Sequence, residues 1–262
     1  SHGKFNSKEF GVDQYDQVVS TIDYWLGKIL EKIDLNQTLF LITADHGNYP
    51  SIIKKDEKIY QLEPGKLYQI LWKIGFNLPS FLTPIWSKIN NLYKIIFRWN
   101  KQRQSDKLNL SNYEKRVFQN AIGHTRDIHE DCLLIPLIIS GCGIDSSKKI
   151  KNFVRQVDIF PTLLSLLKIP FSKETIDGQD VSNLIDGKLL EECPAYIENL
   201  PTKENNWIKQ IGIRTNQFKY ARNIKNSKKN VELYDIQNDP LEEENLSDKN
   251  SDMIDHMESI LK

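Results

Sequence analysis

The feature that most constrains this 262-residue chain is Thr38-Leu-Phe-Leu-Ile-Thr-Ala44, a continuous apolar and β-branched run that ends directly on Asp45-His46-Gly47-Asn48. The run is too short for a helix and apolar on both faces, so it predicts a strand covered on both sides, as in the centre of a parallel sheet. A second such run, Leu133-Leu-Ile-Pro-Leu-Ile-Ile-Ser140, stops at Gly141-Cys142-Gly143, and Pro136 is tolerated there at a bulge or at the strand's start. Between Val12 and Ile33 apolar residues from Tyr15, Val18 and Ile22 to Ile29 and Ile33 recur at helical spacing, which predicts a helix with one buried stripe. Asp158-Ile-Phe-Pro161 opens another helix, with Asp158 as its N-cap and proline in the first turn. The order helix, strand, long insert, strand, helix implies an α/β layered domain with a mostly parallel sheet.

Past Pro170 the pattern changes to short segments, Ala195 to Glu198, Ile211 to Arg214, Phe218 to Arg222 and Val231 to Ile236, separated by Asn, Lys and Ser turns. These predict a small antiparallel sheet. The expected division is therefore residues 1–190 as an α/β domain with a helical, basic and aromatic insert at about 50–120, and residues 191–262 as a small subdomain with an acidic tail. With 39% hydrophobic residues and 35 basic against 35 acidic side chains, the composition is globular and excludes a disordered, collagenous or coiled-coil chain. Cys132, Cys142 and Cys193 form neither a C-x-x-C pair nor an even set, so neither a disulfide framework nor a zinc ribbon is expected. The residues hold no spanning helix and no signal peptide, and the first residue is Ser1 rather than methionine. The expectation is a piece of a longer polypeptide, with its compartment left open.

Net neutrality hides a segregated charge pattern. From Lys66 to Arg103 there are seven basic residues and no acidic one, whereas Val231 to Lys262 holds ten acidic residues and two lysines. The basic stretch also holds Tyr68, Trp72, Phe76, Phe81, Trp86, Tyr93, Phe97 and Trp99, broken at Pro79 and Pro84 into two predicted helices. Such a hairpin suits an anionic membrane surface or a large anionic substrate, and equally a helical lid packed on its own domain. Nucleic acid is not an expected partner, because no matching basic face exists elsewhere in the chain.

The carboxyl end of a buried strand in an α/β sheet is where ligands gather, and Asp45 with His46 places a carboxylate beside an imidazole there. The pair suits one divalent cation; the bland alternative is a turn cap in which Asp45 bonds backbone amides. Thr43-Ala44-Asp45-His46-Gly47 resembles the metal-binding motif of the alkaline phosphatase superfamily, and four further stretches resemble its sulfatase branch. They are Gly123-His124-Thr125 with Glu130 and Ile135-Pro136-Leu137-Ile138-Ile139; Gln156 to Leu167 with Asp177-Gly178; Ile213-Arg214 to Lys219-Tyr220; and Leu233-Tyr234-Asp235 through Asp239-Pro240, Glu242 and Asn245-Leu246.

This resemblance implies an α/β/α sandwich of the alkaline phosphatase type, with its N-terminal part absent, plus the small C-terminal antiparallel sheet. It implies Asp45 and His46 as metal ligands, His124 beside the transferred group, His2 beside the leaving group, and Thr125 and Arg126 as contacts to an anionic ester substrate. His129 and His256 read as surface residues. The implied cofactors are one divalent ion, most often Ca, with Mn, Zn or Mg allowed by the imidazole, and a formylglycine nucleophile upstream. No C/S-x-P-S-R stretch and no early aspartate pair occur in the chain, so the expected sulfate ester hydrolysis belongs to the intact protein, and this chain alone is expected to bind metal weakly and show little activity. The alternatives are a phosphodiester or phosphonate hydrolase or phosphoethanolamine transferase of the same superfamily, and a non-catalytic binding module.

Overall fold

The computed structural model describes residues 11, 14–62, 66–120, 128–144, 147–199 and 209–262. These form two compact units, one from residues 1–32 and 47–125, the other from residues 33–46 and 126–262.

In the first unit, α1 (Gln14–Leu30) follows the expected period, but Tyr15, Ile22, Trp25 and Ile29 stay exposed. The period makes the helix, whereas burial needs a covering surface that the described residues do not supply. The insert is not purely helical. Strands β2 (Ile52–Lys55) and β3 (Lys58–Gln61) pair antiparallel around Asp56 and Glu57, both at positive φ, the geometry a two-residue hairpin turn requires. Helices α2 (Lys66–Phe76), α3 (Thr83–Ser105) and α4 (Asn112–Asn120) come next. Pro84 sits in the first turn of α3, where its missing N–H costs no helical bond.

Helix α2 packs on α3 through Trp86, whose Nε1 donates to the Leu71 carbonyl at 3.0 Å, and through the stacked rings of Tyr68 and Tyr93. Gly75 makes this approach possible, since a Cβ there would lie 2.0 Å from the Trp86 ring. Ser111 and Glu114 cap α4 reciprocally, with Glu114 N donating to Ser111 Oγ and Ser111 N to the Glu114 carboxylate. Lys55 ties the hairpin to the same Glu114 at 2.8 Å, over a core of Tyr49, Ile53, Leu62, Leu110, Val117 and Phe118.

In the second unit, β1 (Phe40–Thr43) pairs with β4 (Leu137–Ser140) in the register Phe40↔Ser140 to Thr43↔Leu137. The α/β class holds, but this pair runs antiparallel where a parallel sheet was expected. An uninterrupted apolar run reports cover on both faces and is blind to strand direction. The second run is also shorter than expected: Glu130–Leu133 form one helical turn, α5, and Pro136 lies just ahead of the strand. Gly141, at φ 93°, closes β4 against the loop before β1, where a Cβ would meet the Thr38 carbonyl at 2.0 Å and Cys142 N donates to the Leu35 carbonyl.

Helix α6 (Ile159–Leu166) begins where expected, but the Asp158 side chain does not cap it. Asp158 instead accepts from Arg155 N and from the Arg155 guanidinium, and from Gln179 N at 2.8 Å, tying the helix start to the chain that returns after it. Strands β5 (Ala195–Glu198), β6 (Gln210–Arg214), β7 (Phe218–Asn223) and β8 (Glu232–Asp235) form an antiparallel sheet in that order, as the sequence predicts. The acidic tail is helical over Ser251–Leu261, here α7, and seats Met257 on Ile213, Tyr220 and Leu233. The opposite face of the sheet packs Ile197 and Ala221 on Ile128 and Leu133.

Candidate active site and metal ligands

Strand β1 ends at Thr43, and Asp45 and His46 come after one intervening residue. The Gln156 side-chain amide donates to the Ala44 carbonyl at 3.3 Å, tethering the strand end from the turn that precedes α6. Asp45 Oδ1 accepts from His46 N at 3.0 Å, and the second carboxylate oxygen lies 3.9 Å from His46 Nε2. The Asp45 side chain is 90% exposed and that of His46 49%. An oxygen and an imidazole nitrogen at this spacing suit one divalent cation, although they are only part of the shell of six or more that a hard cation takes. Among the described residues no group of three or more His, Cys, Asp or Glu side chains gathers into a closed metal site.

Of the other expected site residues, His2, His124, Thr125 and Arg126 lie outside the described residues. The stretch from Ile128 to Glu130, just beyond them in the chain, is closely held. Lys219 on β7 is buried and donates to the Ile128 carbonyl at 2.7 Å, while pairing with the buried carboxylate of Glu242. Glu242 also accepts from Glu130 N at 3.0 Å. The Glu130 carboxylate then receives Arg214 of β6, Nη2 to Oε2 at 3.0 Å and Nε to Oε1 at 3.3 Å, and Phe153 lies 4.6 Å under the guanidinium. Two ion pairs thus fix this stretch, which continues the His124 segment, onto the sheet.

This buried network escapes a reading of the sequence by periodicity. Lys219, Arg214, Glu130 and Glu242 are charged residues at positions that pattern alone assigns to solvent, and each instead occupies a position within one of the sulfatase-like motifs. The last motif has further structural work. Asn245 Oδ1 accepts from Leu233 N and its amide donates to the Val231 carbonyl, so its side chain stands in for a strand partner along β8. Asp239 accepts from Glu243 N and Glu244 N, which turns the chain so that Glu242 reaches Lys219. A cavity of about 200 Å³ in the first unit is lined by Phe97, Arg98, Lys101 and Phe118, and none of the expected site residues lines it.

Two family models match the chain: that of the sulfatases over residues 10–169, and that of the N-sulphoglucosamine sulphohydrolase C-terminal region over residues 121–262. Arylsulfatase K of Gallus gallus is 26% identical over 158 residues, 58% of this chain and 29% of that protein. Its counterpart in Canis lupus familiaris is 26% identical over 145 residues, 53% of this chain and 27% of that protein. The chain spans under a third of the length of these relatives. A structure from Bacteroides fragilis assigned to the sulfatases aligns with 99% of this chain and 43% of its own at a TM-score of 0.57 and 18% identity. Another, from work on glycosaminoglycan metabolism in Bacteroides thetaiotaomicron, covers 99% of this chain and 46% of its own at 0.56 and 19%. These two likenesses carry the fold.

Proposed function

The chain belongs to the sulfatase family, and from that premise we propose that the protein hydrolyses sulfate esters, with Asp45 and His46 as two ligands of a divalent cation. The observation that carries the proposal is the adjacent carboxylate and imidazole at the end of β1, inside the region that matches the sulfatase model. Calcium is the ion most usual in the family; the His46 nitrogen also allows Mn, Zn or Mg. When bound, the cation neutralises charge on the ester oxygens and lowers the pKa of the nucleophile.

In this reading His124 donates to the sulfate group as charge builds in the transition state, and His2 protonates the departing oxygen. Thr125 and Arg126 hold the sulfate oxygens by a hydroxyl and a guanidinium. The pairs Lys219–Glu242 and Arg214–Glu130 keep the stretch after these residues from shifting, which matters because small misplacements of reacting groups are costly. The reading requires a nucleophile and further ligands beyond these 262 residues, since C/S-x-P-S-R does not occur among them.

The test is sulfate release by the full polypeptide that carries these residues, with an aryl sulfate and N-sulphoglucosamine as first substrates. Asp45→Ala and His46→Ala each lower release by about a hundredfold and weaken metal affinity. Unchanged release and unchanged metal affinity in both variants overturn the assignment and leave a binding module without chemistry. A second reading rests on His46, where many sulfatases have asparagine. Faster cleavage of an aryl phosphodiester than of an aryl sulfate would move the protein to the phosphodiesterase side of the superfamily.

A further inference from the structure

Two parts of the first unit hold large apolar side chains in water, α1 and the α2–α3 hairpin. Charge separates them. Helix α1 carries Asp16 and Asp23 against Lys28, whereas residues 66–103 carry seven Lys and Arg and no acid.

Helix α3 has an inner row, apolar but for Asn90, and an outer apolar row. The inner row, Trp86, Asn90, Tyr93 and Phe97, includes the ring that bonds the Leu71 carbonyl and the ring that stacks on Tyr68. The outer row, Ile85, Ile89, Leu92, Ile96 and Trp99, repeats at steps of four and three and lies about 100° around the helix from the first. Each of its side chains is about half exposed. The hairpin tip adds Phe76 and Phe81, 77% and 74% exposed, with the Trp72 ring 5.0 Å from that of Phe76. Cations flank the outer row. Lys88 falls one turn from both Ile85 and Leu92, and Arg103 continues the row beyond Trp99 with its guanidinium 4.6 Å from the indole.

We propose that the outer row of α3 and the tip of the hairpin lie on an anionic lipid bilayer, with the apolar side chains in the acyl boundary and the Lys and Arg heads among the phosphates. A bilayer uses both properties of the face at once. A sulfated polysaccharide would engage the cations and leave the outer row wet. A second copy of the chain would cover the row but set Lys88 and Arg103 against their own kind. Among the described residues no helix is long and apolar enough to cross a membrane, so the hairpin rests in the interface.

The experiment is flotation of the full polypeptide with phosphatidylcholine vesicles and with vesicles that also contain phosphatidylserine. Each Lys or Arg near an anionic leaflet strengthens binding about fivefold, so the anionic vesicles bind at least about a hundredfold more tightly, and added salt weakens them. Leu92→Glu with Ile96→Glu, both at exposed positions, abolishes flotation while circular dichroism and the melting temperature stay unchanged. Lys88→Glu with Arg103→Glu lowers the preference for phosphatidylserine by at least about twenty-fivefold. The proposal is overturned if the polypeptide floats with neither vesicle. It is equally overturned by heparin binding that Leu92→Glu does not weaken, which makes the face a polyanion site, or by a dimer in sedimentation that Leu92→Glu dissolves.

Discussion

Lys219 shows how a single side chain acquires its role from position. It is 1% exposed, and its ammonium lies between the Glu242 carboxylate, the Ile128 carbonyl and, at 5.5 Å, the Tyr234 ring. Burying two charges together gains little over an apolar pair, but removing one leaves the other uncompensated. Lys219→Met is therefore expected to destabilise the protein by about 3–5 kcal/mol, read as a lower denaturant midpoint in the full polypeptide. Asp45 is the contrasting case. Its side chain is 90% exposed, so Asp45→Ala is expected to leave stability within about 0.5 kcal/mol while activity falls, a separation that melting curves beside rate measurements check.

At the scale of elements, α7 is fastened to its sheet by one carboxylate as well as by its apolar face. Glu258 accepts from two guanidinium nitrogens of Arg222, Nε at 2.8 Å and Nη2 at 2.9 Å, and from the Tyr220 hydroxyl at 2.9 Å. The Arg222 hydrogen bonds, ahead of the opposing effect of burial, hold the Glu258 carboxyl below its ordinary value of 4.5, and burial pushes the Tyr220 hydroxyl well above the usual phenol range. A carboxyl depressed in the folded state stabilises it above the unfolded value and loses that contribution as pH falls through the folded one. Stability should therefore decline from about pH 4.5 downward in the native protein. Glu258→Gln should cost about 1–3 kcal/mol at neutral pH and flatten that decline, as followed by urea unfolding across the acid range.

For the whole molecule, the count of ligands sets the expectation. On the proposed assignment Asp45 and His46 supply two donors where a hard cation takes six or more, so the 262-residue chain by itself should bind calcium no better than millimolar and release no sulfate. Titration calorimetry on the chain and on the full polypeptide checks the difference, and tight binding by the chain alone would mean that the ligand set is complete within it. Much of the architecture was legible in advance. The four short strands after residue 190, the split of the insert at Pro79 and Pro84, and the start of α6 at Ile159 follow from period and punctuation. The β2–β3 hairpin was not legible, because its turn uses Asp56 and Glu57 rather than the Asn-Gly or Asp-Gly pair that marks such turns.

The sequence determined by itself much of the local and chemical character: the helices α1 and α6, the strand β1 with Asp45 and His46 after it, the four short strands after residue 190, and which motifs occur in which order. These are properties of neighbours along the chain, set by side-chain period and turn residues. Only the tertiary structure decided which distant residues share a desolvated space. The antiparallel run of β1 with β4, the second apolar row of α3 left in water, and the burial of Lys219 with Glu242 and of Arg214 with Glu130 are all of this kind. A charged residue reads as solvated until a partner from another strand removes its water, and no spacing along one strand announces that partner.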